Sequence, residues 1–150
     1  MEAAVQSAVE GARARGYPPP LVLGVTVLTS LNQGDLAELG LEPDPGRQVE
    51  RLARLAVRAG LKGLVCSPME IAPLRRVLPP EVQLVTPGIR ASSEALGDQK
   101  RTLGPQEALA AGANWLVIGR PICAAPDPRA AAEAILESLR APAASGQAVR

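Results

Sequence analysis

Two stretches of this chain combine residue types suited to gripping an anion. The first is Val85-Thr86-Pro87-Gly88-Ile89-Arg90, with a tail running to Gly97-Asp98-Gln99-Lys100-Arg101. It leaves the short apolar run Val82 to Val85, which reads as a buried strand, and breaks at Pro87-Gly88. A glycine at such a break lets the backbone approach a ligand closely, because no Cβ intervenes. An arginine beside it offers a planar fork that matches phosphate or carboxylate at two points. The second stretch repeats the pattern: Trp115-Leu116-Val117-Ile118, then Gly119-Arg120-Pro121. Two successive apolar runs thus end in glycine and arginine, and the chemistry this suits is phosphate binding.

Other chemistries find little support. The chain has no histidine, so His-based triads and the commonest zinc ligand sets are excluded. The two cysteines, Cys66 and Cys123, form no close pair and flank apolar runs, which predicts buried, reduced thiols. Asp98-Gln99-Lys100 contains an Asp-x-Lys spacing, but Arg101-Thr102-Leu103 supplies no further carboxylate, and Lys100 reads as a solvated loop lysine. Net charge is +1, with no Phe, one Trp (Trp115) and one Tyr (Tyr17), so neither a basic field nor stacking platforms favour nucleic acid. No apolar run reaches the roughly 18 residues of a membrane span, and the start lacks the layout of a signal peptide. A cytoplasmic protein with no membrane partner is expected.

The elements that must position the two arginines follow from pattern. The chain has 150 residues, 47% apolar and 21% charged, enough for one domain with a core. Met1 to Arg15 reads as a helix with Ala4, Val5, Ala8, Val9 and Ala12 on one side, stopped by Gly16 and Pro18-Pro19-Pro20. Leu21 to Leu28 reads as a parallel strand buried on both faces. It ends at Thr29-Ser30 and is followed by a short amphipathic piece near Asp35 to Leu39. Asp44-Pro45 opens a helix that buries Val49, Leu52, Ala53 and Ala56, turns Arg47, Arg51, Arg54 and Arg58 to water, and ends at Gly60.

Gly63 to Cys66 is a short strand, and Ser67-Pro68-Met69-Glu70 has the spacing of a capping box. Pro73 sits badly for a helix begun there, so the helix either kinks or starts later. After the first anion-gripping stretch, Gly104-Pro105 opens a helix to Ala111, and Asn114 to Ile118 is a strand. Asp127-Pro128 opens a last helix with Ala132, Ile135, Leu136 and Leu139 inward, and residues 141–150 form a fraying tail. The order α-βα-βα-βα-βα predicts parallel strands with open edges at Leu21–Leu28 and Asn114–Ile118. A closed barrel of this type needs about eight strands, twice the number present.

With these motifs placed, the chain resembles the orotidine 5′-phosphate decarboxylases of the bacterial type. The resemblance rests on Val25-Thr26-Val27-Leu28-Thr29-Ser30, Gly63-Leu64-Val65-Cys66-Ser67, Leu84 to Arg90, Gly97 to Arg101 and Val117-Ile118-Gly119-Arg120-Pro121, in that family's order and spacing over residues 1–140. It implies an α/β fold: the C-terminal half of a (β/α)8 TIM barrel of the ribulose-phosphate-binding type. It further implies that Arg90, Gln99, Gly119 and Arg120 hold the nucleotide phosphate and that Thr29 contacts the pyrimidine ring.

The family's chemistry uses no metal and no organic cofactor. An Asp-x-Lys-x-x-Asp array on earlier strands performs it, and no such array occurs in these residues. The resemblance therefore implies no catalytic residue in this chain, a small-molecule substrate (orotidine 5′-phosphate), and a homodimer for the full-length form. Two alternatives stay open. One is another phosphate-binding barrel, such as a sugar-phosphate epimerase or a keto-acid phosphate decarboxylase. The other is a non-catalytic half-barrel that binds a partner or ligand.

Overall fold

In the computed structural model of the chain, residues 1–90 and 102–140 are described. Helix α1 (Glu2–Arg13) leads into strand β1 (Leu23–Val25), then α2 (Gln33–Glu38), α3 (Pro45–Arg58) and β2 (Gly63–Val65). A 3-10 turn (Pro68–Glu70) and α4 (Ile71–Val77) precede β3 (Gln83–Thr86). Helix α5 (Pro105–Ala110), β4 (Trp115–Leu116), α6 (Arg120–Cys123) and α7 (Pro128–Arg140) complete the order. The four strands form one parallel sheet in the order β1-β2-β3-β4. Expected order and direction hold, and among the described residues β1 and β4 each have a single neighbouring strand.

Register assigns the two faces. Val25, Val65, Val85 and Trp115 lie side by side across the sheet, as do Gly24, Leu64 and Leu84. Side chains alternate between faces along a strand. Leu64 and Leu84 are fully buried, and a Cβ built on Gly24 would stand 3.3 Å from the Ala56 Cβ of α3. That row therefore faces the helices. The core there gathers Leu36, Val49, Ala53, Ala56, Leu64, Ile71, Leu74 and Leu84, each at most 3% exposed. Each large apolar side chain so buried stabilises the fold by roughly 1.5–3 kcal/mol relative to leaving it in water.

The opposite face is open, which corrects the reading of Leu21–Leu28 as a strand buried on both sides. Leu23 is 41% and Val25 60% exposed, because no second layer covers that face among the described residues. The paired strand is also shorter than expected, three residues rather than eight, as an edge strand has only one neighbour to hold it.

Helix starts follow local chemistry. Asp44 caps α3, its Oδ1 accepting from the Gly46 and Arg47 amides at 2.9 and 3.2 Å, with Pro45 at the first position. Asn32 and Asp35 form a reciprocal capping box at α2. The box expected at Ser67 does not cap. The Ser67 hydroxyl instead donates to the buried Glu70 carboxylate, and α4 begins at Ile71. Pro73 then falls in the first turn, where amide donors have no intrahelical partner anyway. The late start thus removes the conflict.

Two other expectations are corrected. Cys66 is buried, but Cys123 is exposed, because it lies on α6, which buries none of its residues. On α7 no residue is fully buried and Leu136 is 54% exposed, since that helix packs against α5 and α6 at one end of the layer.

Candidate functional site

In a parallel sheet every strand ends at the same rim, so the connections that follow neighbouring strands begin side by side. Thr86 of β3 pairs with Leu116 of β4. Arg90 is four residues beyond Thr86, and Arg120 is four beyond Leu116. Neighbouring strands are about 4.8 Å apart, so the two connections that carry these arginines start side by side. Thr29 lies four residues beyond Val25, in the turn that follows β1, which two strands separate from β4.

The backbone after β3 is built to present Arg90. Gly88 has φ +82°, a conformation that side chains with a Cβ adopt only with strain, and it turns the chain out of the strand. Ile89 then pairs with Leu103, and the Arg90 amide donates to the Leu103 carbonyl at 3.0 Å. The returning segment is held in turn by Glu107, whose carboxylate accepts from the Gly104 amide at 2.9 Å at the start of α5. Arg90 is only 7% exposed, and its Nε has no hydrogen-bond partner among the described residues. A buried cationic nitrogen without an acceptor is costly. An anion held at this rim would relieve that cost.

After β4 the chain turns at Gly119 into α6, with Arg120 and Pro121 as its first residues. Both Gly119 and Arg120 are exposed at the rim, and Thr29 is half-buried in a turn. A short helix following a late strand is a common way for a barrel to form a phosphate cradle. Sequence patterning did not foresee α6, because four residues opened by Gly-Arg-Pro carry no helical periodicity. Gln99, like Lys100, lies outside the described residues.

A cavity of about 410 Å³ adjoins this region, lined by Ile89, Arg90, Gly104, Pro121, Ile135 and Ser138 among others. It opens between α5 and α7, on the helix side, and neither Thr29 nor Arg120 lines it. The candidate site is accordingly the strand rim, with Arg90 at the boundary between rim and cavity. Among the described residues no group of three or more Cys, Asp or Glu side chains could hold a metal ion.

At the opposite rim an unforeseen clamp sets the β3–β4 register. Arg75 of α4 donates to the Gly112 carbonyl at 2.9 Å, to the Val82 carbonyl at 2.8 Å and to the Asn114 side chain. The Asn114 Oδ1 also accepts from the Leu84 amide at 2.8 Å, and the Asn114 amide donates to the Leu84 carbonyl at 3.0 Å. The two strands that end in Arg90 and Gly119-Arg120 are thus aligned from below.

The model of the orotidine 5′-phosphate decarboxylase / HUMPS family matches residues 1–135. The chain belongs to this family. Orotidine 5′-phosphate decarboxylase of Opitutus terrae is 60% identical over 123 residues, which are 82% of this chain and 54% of that relative. The Pseudomonas putida enzyme is 53% identical over 126 residues, 84% of this chain and again 54% of the relative. The crystal structure of orotidine 5′-phosphate decarboxylase from Lactobacillus acidophilus superposes with a TM-score of 0.74 at 34% identity, covering 94% of this chain and 60% of that one. The chain therefore spans about half the length of the family members it matches, and its four parallel strands with their helices correspond to part of a TIM barrel. The alternative barrel activities are not favoured by these relatives.

Proposed function

We propose that the chain is the substrate-gripping half of an orotidine 5′-phosphate decarboxylase, a carboxy-lyase that releases CO2 from orotidine 5′-phosphate to form UMP in pyrimidine biosynthesis. The observation that carries this reading is Arg90, buried with an unpartnered Nε, on the connection that leaves β3 beside the one from β4 that carries Arg120. Arg90, Gln99, Gly119 and Arg120 bind the substrate phosphate, and Thr29 meets the pyrimidine ring. Residues 1–140 act as the last four strand–helix units of the barrel, and 141–150 as a tail. The working enzyme is cytoplasmic and a homodimer.

Phosphate binding contributes to such a reaction through remote binding energy realised at the reacting centre. Protonation of the ring carbon and electrostatic stress on the departing carboxylate require the Asp/Lys array, which these residues lack. The test joins these 150 residues to the first four units of a relative and compares orotidine 5′-phosphate with the nucleoside lacking the phosphate. A charge-assisted hydrogen bond is worth about 1.5–3 kcal/mol. Arg120→Ala should therefore lower kcat/KM for the phosphorylated substrate by about ten- to a hundredfold. The nucleoside should be nearly unaffected. Equal losses for both would make Arg120 structural and withdraw the assignment.

A further inference from the structure

The end of β2 holds a buried side-chain pair that the proposed phosphate grip does not use. Ser67 is fully buried and Glu70 only 5% exposed, and the Ser67 hydroxyl donates to the Glu70 carboxylate. The pair closes the 3-10 turn Pro68–Glu70 on itself. Within that turn the Glu70 amide donates to the Ser67 carbonyl at 3.1 Å, and the Ile71 amide to the Pro68 carbonyl. Replacing both partners of a buried hydrogen bond by apolar groups of the same shape is often nearly neutral for stability. A purely structural turn would be served as well by two apolar side chains.

The place of this turn gives the pair its reach. Strand β2 is interior, with β1 on one side and β3 on the other. Just before the turn, the Val65 carbonyl accepts from the Thr26 amide at 3.2 Å and from the Thr26 hydroxyl at 2.8 Å. Thr26 opens the connection that reaches Thr29 three residues later. On the other side the Cys66 amide donates to the Val85 carbonyl at 3.2 Å, one residue before β3 ends at Thr86. The end of β2 is thus bonded to the start of one connection and to the end of the strand that launches the other.

We infer that Glu70 is a positioning residue for the substrate, acting through Ser67 to fix the end of β2 between the connections that carry Thr29 and Arg90. The inference rests on the proposed function and deepens it. A nucleotide held at its ring by Thr29 and at its phosphate by Arg90 and Arg120 spans the end of β2, because β2 separates β1 from β3. Those two strands stand about 10 Å apart, two strand spacings. Where the ring sits once the phosphate is gripped depends on that separation. Remote binding energy reaches the reacting centre only when both ends are held in the right relation.

The test uses the barrel that joins these 150 residues to the first four units of the Opitutus terrae relative. Ser67→Ala/Glu70→Leu, which makes both partners apolar, should unfold near the parent temperature. It should nonetheless lower kcat for orotidine 5′-phosphate by about ten- to a hundredfold, the cost of a small misplacement. KM should change by less than about threefold. The nucleoside, which has no phosphate to grip, should lose much less. Glu70→Gln keeps an acceptor for the Ser67 hydroxyl and should restore nearly full turnover. Asp44→Ala, which uncaps α3, should lower stability and leave kcat unchanged. If the double variant does not fold, Ser67→Ala alone carries the same expectation. Parent kcat in that variant overturns the inference while the proposed function stands. So do equal losses for both substrates, or a Glu70→Gln barrel as slow as the double variant. A parent barrel without turnover overturns both.

Discussion

Arg90 is positioned by two other residues. Gly88 sets its direction through a positive φ, and Leu103 holds its backbone. A Cβ at Gly88 meets the left-handed penalty of about 1–2 kcal/mol. Gly88→Ala should lower stability by about that amount and weaken binding of a phosphorylated ligand more than binding of its nucleoside, measured by denaturant unfolding and by titration. Asn114 is the other quiet residue. Asn114→Ala removes the acceptor shared by the Leu84 amide and Arg75, and each bond is worth about 1 kcal/mol. Thermal unfolding should fall by a few degrees, and a variant as stable as the parent would show that the clamp is decorative. The thiols differ in reach: a thiol reagent should label Cys123 promptly and Cys66 only on unfolding, since only the former is exposed.

Helix α3 shows how an element carries the core. Its apolar face places Val49, Ala53 and Ala56 on the sheet, while Arg47, Arg51, Arg54 and Arg58 are exposed. Glu50 and Arg54 pair at 2.8 Å along that exposed side. Such a surface pair adds little, whereas the Asp44 cap satisfies two amides. Asp44→Ala should cost about 1 kcal/mol and lower the unfolding midpoint by about 2–4 °C. Glu50→Ala should shift it much less. The reverse ranking would mean that the charged face, not the cap, secures the helix. Helix α7 buries no residue fully and packs against α5 and α6. Hydrogen exchange should therefore be faster along α7 than along α3.

At the scale of the whole molecule, the proposed phosphate grip stands in half a barrel, without the groups that would act on the ring. Electrostatic stabilisation of a transition state needs charges aimed at the reacting atoms, which the proposed phosphate-binding arginines would not supply. The chain by itself should show no turnover of orotidine 5′-phosphate above the uncatalysed rate in a preparation cleared of host enzyme. Measurable decarboxylation would require a carboxylate–lysine pair that the described residues do not present. No helix among those residues is long and apolar enough to cross a membrane.

Much of this was legible before any coordinates. Apolar runs of strand length, Asp-Pro and Gly-Pro helix starts and the βα alternation determined a parallel sheet with sequential order, because they are local signals that each element carries within itself. The glycine–arginine endings likewise marked the rim, since a strand's end is readable where its apolar run stops. Burial on one face only was not legible at β1, because Leu21 to Leu28 is equally apolar whether or not a neighbour covers it. The same holds for Cys123 and Leu136, whose exposure depends on what packs against α6 and α7. The Ser67–Glu70 pair, the late start of α4 and the Arg75–Asn114 clamp were also hidden, for they join groups by distance in space and not by spacing along the chain. Which face stays open, and which strand ends stand side by side, is decided by strand pairing, a relation between elements that no single element encodes.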